Sequence, residues 1–111
     1  MSTPTERLEE IHAAFASALQ RRPADLKQAS TEAQVIAVLN NVRNLEASFL
    51  KAATAALAAT GAGVEAAMRE AQTLRAEVDA AYAAARDIAE KIRLVSRGAK
   101  AVGELVKKAQ G

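Results

Sequence analysis

The feature that most constrains this chain is an apolar seam with a 3.5-residue repeat. From Val64 to Ala109, every position reached by alternating steps of three and four residues is apolar. Runs with the same spacing extend from Val35 to Ala59 and from Leu8 to Ala18. This spacing keeps one apolar face along a helix and is typical of left-handed coiled-coil packing. We therefore expect an all-α fold of long helices that pack side by side.

Local signals give the bounds of the first helix. Thr3 and Glu6 form a capping-box pattern around Pro4, which suits the first helical position. Pro23 disfavours helical backbone in the residue before it. The first helix is therefore predicted at about 4–22.

The second and third helices are predicted on either side of a glycine turn. Thr31 begins another capping pattern, so the second helix is expected at about 32–60. Gly61 and the second glycine that follows it predict a helix stop and a reversal. The third helix is predicted at about 64–97, after which Gly98 leaves two alternatives: the helix continues to residue 110, or a short fourth helix folds back.

The two long seams are out of phase by one residue across the glycine turn, which favours a hairpin over one continuous helix. We expect a long antiparallel, coiled-coil-like hairpin of the second and third helices, completed by the N-terminal helix. The second helix also carries a second apolar stripe with Ile36, Leu39 and Leu50, interrupted by Arg43 and Glu46. The N-terminal helix is expected to cover one stripe. The prediction is one domain, residues 1–111, forming a three- or four-helix bundle.

In that hairpin, the third helix extends beyond the end of the second, so the C-terminal part of its apolar seam has no helix to pack against. Folding back at Gly98 is one solution, and association is the one we favour, because alanine, 29 of the 111 residues, makes the core thin. We predict a homo-oligomer, with a dimer favoured, or a helical protein partner. Val102→Asp is then expected to weaken assembly and leave helicity largely intact. The predicted partner interface consists of Ile92, Val95, Val102, Leu105 and Val106.

The charge is nearly balanced, with a formal net charge of +2, but basic residues collect near the C-terminal end. The favoured interpretation is a solvated helix end that complements the helix dipole. The alternative is a basic surface that binds an anionic membrane or a nucleic acid, and we rank it below helix–helix contact. This basic surface consists of Arg93, Arg97, Lys100, Lys107 and Lys108.

The sequence offers little for catalysis. The chain has no cysteine, and His12 is its single histidine, so thiolate metal sites and a local nucleophile–histidine pair are lacking. Di-metal bundles need a Glu-x-x-His motif on each of two helices, and with one histidine the chain supplies this spacing once, from Glu9 to His12. We expect no enzyme activity, no cofactor and no metal. Tyr82, beside the third seam, is expected at the rim of the core.

The size and the alanine-rich hairpin resemble those of the small exported helical-hairpin proteins named for a Trp-x-Gly turn. The turn here, from Ala59 to Gly63, has no tryptophan, and Arg86 stands where their export motif has an acid, so we assign no family. The expected function is a non-enzymatic helical interaction module that self-associates. An exported or membrane-active helical hairpin is the second class, and a nucleic-acid accessory protein is the third. The expected location is the cytoplasm, with signal-independent export as the alternative.

Overall fold

The computed structural model describes residues Met1–Gly111 and contains four α-helices and no strand. The expected all-α helical bundle is confirmed, and it has four helices. They are α1 (Pro4–Gln28), α2 (Glu32–Thr54), α3 (Ala62–Ala83) and α4 (Ile88–Gln110).

The order of the helices around the bundle is α1, α2, α4, α3. α2 and α3 occupy opposite corners, and no Cα atom of one lies within 8 Å of a Cα atom of the other. α4 packs against all three other helices. The hairpins are therefore α1–α2 and α3–α4, which corrects the expected pairing of the second helix with the third.

The link between α2 and α3 explains that correction. α2 ends at Thr54, before its expected end, because the backbone of Ala55 is extended. Seven extended residues span up to about 25 Å, enough to cross from one corner of the bundle to the opposite one. Leu57 is buried within this link, and the Ala59 N–H donates to the Ala109 carbonyl at 2.9 Å. The last positions of the seam predicted for the second helix therefore lie in this link between α2 and α3, which we call the crossing link.

The chain reverses between α3 and α4 at Ala84–Asp87, well before Gly98. Ala85 adopts a left-handed conformation with φ of 52°, and the Asp87 side chain accepts the Glu90 N–H at 2.9 Å. Gly98 therefore lies inside α4, and the predicted third helix of residues 64–97 is corrected to two helices. The Asp-x-x-Glu spacing at the start of α4 is a capping pattern that could have marked the break.

α1 passes through Pro23 and ends at Gln28, so the predicted end near residue 22 is wrong. Proline removes one helical hydrogen bond, but residues beyond it are held from outside the helix. From outside, Tyr82 of α3 donates to the Asp25 carboxylate at 2.6 Å; within α1, the N–H of the C-cap residue Ala29 donates to the Asp25 carbonyl.

The core is aliphatic and rich in alanine. Leu105 and Ala109 have no exposed surface, and 8 of the 21 buried hydrophobic residues are alanine. The seam positions within α3, from Val64 to Ala81, are all buried. The seam was therefore correctly predicted as the core-facing side of this helix.

Candidate functional site

The five α4 residues predicted to bind a partner lie within the chain's own bundle. Val102, Leu105 and Val106 are at most 3% exposed, and Ile92 and Val95 are half-buried. Because α4 folds back along α3, its seam faces the bundle interior instead of extending beyond it. Val102, Leu105 and Val106 therefore pack the core of their own chain, and their burial argues against the predicted partner interface on α4.

The five basic residues of α4 are all exposed. The groove between α3 and α4 that three of them line also contains Glu70 and Glu104. Arg93 lies 3.7 Å from Glu90. The surface is therefore mixed in sign, and binding to an anionic partner stays a prediction. The five exposed basic residues are Arg93, Arg97, Lys100, Lys107 and Lys108.

The second stripe of α2 remains uncovered. α2 contacts α1 and α4, and neither of them covers this side. Three large aliphatic residues on it, Ile36, Leu39 and Leu50, are 49%, 38% and 55% exposed. Arg43 and Glu46 between them are exposed as well. We call these five residues the α2 outer face. α1 packs against the other stripe of α2, where Phe15 stacks on Phe49, and leaves the outer face uncovered.

An aromatic cluster joins α1 and α2 next to Leu50. The Phe49 ring stacks on Phe15 with 5.7 Å between centroids and meets His12 at 5.1 Å. His12 is exposed on its other side. These contacts give the single histidine a packing role beside the α2 outer face.

A buried arginine ties together one end of the bundle. Arg7 is 1% exposed, and its guanidinium donates to the carbonyls of Leu57 and Ala59 in the crossing link. It also donates to both oxygens of Ser2 and to the Glu65 carboxylate at 3.2 Å. We call these five residues the Arg7 clasp. The Ser2 N–H, more than any other group, holds the pKa of Glu65 below its usual value.

A second buried polar cluster lies at the other end, where α1, α3 and α4 meet. Tyr82 donates to Asp25, whose second carboxylate oxygen is buried and accepts no hydrogen bond from the protein. The Arg21 guanidinium lies 4.1 Å from the Tyr82 ring centroid, and the Lys91 ammonium 4.8 Å from it. Lys91 also donates to Gln28 at 3.1 Å. The cluster confirms Tyr82 at the rim of the core.

A cavity of about 40 Å³ lies between the four helices, and most of its lining is apolar. On its polar side Asn41 donates to the Ile92 carbonyl at 3.4 Å and accepts from Ser96 at 3.1 Å. A space of this size accommodates about two or three water molecules, whereas pockets for small-molecule ligands measure about 300–1,000 Å³. The cavity therefore does not supply a ligand site.

The environment of Tyr82 predicts a stability loss in alkali. Burial, and then the hydrogen bond to Asp25, raises the pKa of Tyr82 far above its ordinary value. Because the folded pKa exceeds the unfolded one, the stabilisation is complete below about pH 10 and falls as the pH rises beyond that value. Tyr82 is the single tyrosine and the chain has no tryptophan, so tyrosinate absorbance reports on it alone.

We expect the tyrosinate signal to appear well above pH 10 in the folded protein and near pH 10 in urea. Tyr82→Phe, the matched control, should lose free energy of unfolding less steeply in alkali. A folded-state midpoint near the ordinary value would contradict the prediction.

No three or more of the His, Asp and Glu side chains come together in a group that could hold a metal ion. None of the four helices combines the length and the apolar character needed to cross a bilayer. Comparison with protein-family models, curated proteins and solved structures found no match to this chain.

Proposed function

We propose that this protein is a non-enzymatic helical interaction module that forms a homodimer through the α2 outer face. The observation that supports this proposal is the exposure of Ile36, Leu39 and Leu50 on one stripe of a single helix. Three large aliphatic side chains aligned along one helix differ from the singly scattered apolar residues that are normal on a protein surface. The sequence-based prediction of self-association is retained, and its location moves from α4 to α2.

The charge of the face favours a protein surface as its partner. Arg43 and Glu46 cancel each other, so the face carries no net charge toward an anionic bilayer or a phosphate backbone. Both charges lie in the middle of the stripe, with aliphatic residues on either side. This arrangement suits the same helix of a second copy better than a lipid surface.

The expected dimer is weak. Each aliphatic side chain is already about half buried, so completing its burial contributes only about 1 kcal/mol. We expect a reversible association that responds to local protein concentration.

The proposal predicts that polar substitution of the α2 outer face abolishes the dimer. Leu39→Gln with Leu50→Gln removes most of the apolar contact and keeps good helix formers at both positions. Sedimentation equilibrium, from about 10 µM to 1 mM, should show a dimer for the native chain and a monomer for the variant. Circular dichroism should show the same helix content for both.

The matched control places the same two residues on the opposite corner of the bundle. Ala66→Gln with Ala76→Gln substitutes exposed positions on α3 and should leave dimerisation unchanged. A native chain that stays monomeric over this range refutes the proposal, and so does a Leu39→Gln/Leu50→Gln variant that still dimerises.

A further inference from the structure

The α2 outer face has a charge order that matches itself in one orientation. Read along α2, it presents two aliphatic residues, then Arg43, then Glu46, then Leu50, at alternating spacings of three and four. Neither charged residue forms an ion pair within the chain. Both are exposed, so their charges are free to meet a second copy.

We infer that two copies pair through α2 in antiparallel orientation, with Arg43 opposite the partner's Glu46 on both sides of a two-fold axis. This inference rests on the proposed dimer and specifies its geometry. In antiparallel coiled coils, residues of the two seam positions face each other across the interface, and a two-fold interface repeats every contact. The same layering places Leu39 opposite the partner's Leu50, and Ile36 opposite the partner's Ala53.

The other simple arrangements of two α2 helices do not pair the opposite charges. A parallel pair in register sets Arg43 against the partner's Arg43, and Glu46 against the partner's Glu46, which is repulsive. Shifting the antiparallel pair by one heptad in one direction sets Leu39 against the partner's Arg43, so each charge meets an aliphatic side chain. Like charges and unpaired buried charges both disfavour a register. One register alone pairs both the charges and the leucines.

Single charge reversals test this register. In Arg43→Glu, the introduced carboxylate faces the partner's Glu46 in two symmetric layers, and we expect dimerisation at least about tenfold weaker. Glu46→Arg should weaken it to a similar degree. The double variant Arg43→Glu/Glu46→Arg exchanges the two charges and should restore the native dissociation constant within about threefold. In a parallel dimer, Arg43→Glu would only exchange one repulsive layer for another.

A charge-matched control is available on α3. Arg69 is exposed and forms no ion pair, so Arg69→Glu changes the net charge of the chain as Arg43→Glu does. It should leave the dissociation constant unchanged. Added salt should narrow the difference between Arg43→Glu and the native chain, because screening weakens exposed like-charge repulsion.

Cross-linking tests the orientation directly, since the chain has no cysteine. Leu39→Cys and Leu50→Cys variants are mixed in equal amounts, joined with a short bismaleimide and digested with trypsin. Cleavage after Arg43 and Lys51 separates residues 28–43 from residues 44–51. In the mixture, we expect the cross-link to join one peptide of residues 28–43 to one of residues 44–51. Either variant alone should give little cross-linked product, because the two introduced cysteines of such a dimer lie about 16 Å apart along the helices.

The outcomes separate the two proposals. A native dimer that survives Arg43→Glu unchanged, or that joins two copies of residues 28–43, overturns the antiparallel register and leaves the α2 interface standing. A dimer that also survives Leu39→Gln/Leu50→Gln overturns the proposed function. Loss with each single reversal, recovery with the double variant and the mixed cross-link together support the inference.

Discussion

Replacing Arg7 with methionine should lower the free energy of unfolding by about 3–5 kcal/mol, although the substitution is made in the first turn of α1. The side chain is 1% exposed and all of its hydrogen-bonding nitrogens have partners in the Arg7 clasp. Methionine has similar length and no donors. It would leave the Leu57 and Ala59 carbonyls without their guanidinium partner, and buried unpaired acceptors are costly.

Urea unfolding followed by circular dichroism measures this loss. Arg7→Lys should recover part of the stability, because an ammonium keeps the charge but cannot reproduce the planar fork of donors. Arg69→Met, on the exposed side of α3, is the control and should change the free energy of unfolding by less than about 0.5 kcal/mol. A change that small for Arg7→Met would show that the clasp does not hold the crossing link.

Val102→Asp should abolish cooperative unfolding and most of the helical signal. Val102 is 2% exposed in the centre of the core, so the substitution buries a carboxylate without a partner. Such a change costs at least about 4 kcal/mol, a large part of the stability of a domain of this size. The outcome differs from the sequence-based expectation of a weakened assembly with intact helicity, because α4 folds back into the bundle.

Circular dichroism with thermal unfolding tests this result. Lys107→Asp introduces the same residue at an exposed position of α4 and should keep a cooperative transition. Val102→Ala removes volume without adding charge and should give an intermediate loss. If Val102→Asp stays folded and only changes the oligomeric mass, the core position assigned to Val102 is wrong.

The sequence predicted the class of fold and the core-facing sides well, because apolar spacing reports directly on burial. The α3 seam from Val64 to Ala81 is buried, and Thr3 caps α1 through the expected reciprocal bonds with Glu6. Spacing does not encode which helix covers a seam. The apolar repeats of α2 and α3 are compatible with direct packing of one helix on the other, but the crossing link places the two helices on opposite corners of the bundle.

The break between α3 and α4 was missed for a related reason. No glycine or proline marks Ala84–Asp87, and the apolar repeat continues in step from one helix into the next. A seam that keeps its phase through a reversal cannot be told from one long helix by periodicity. The capping pattern of Asp87 and Glu90 was the available signal, and it is a local cue that the longer pattern outweighed.

The sequence predicted only part of the candidate site. The outer stripe with Ile36, Leu39 and Leu50 was recognised, and what covers it depends on the three-dimensional placement of α1. The buried polar residues were not foreseen, because Arg7 meets the carbonyls of the crossing link, and Asp25 meets Tyr82, at separations of 50 or more residues. Contacts at that separation leave no local pattern.

The alanine-rich core also bears on how the protein responds to temperature. Hydration of newly exposed apolar surface is the main source of the heat-capacity increase on unfolding. Alanine buries less surface than leucine or phenylalanine, and no aromatic side chain is fully buried. The heat-capacity increment per residue should therefore lie toward the low end of the usual range, about 12 cal/mol/K. A small increment flattens the curve of free energy against temperature, so a modest stability would extend over a wide thermal range.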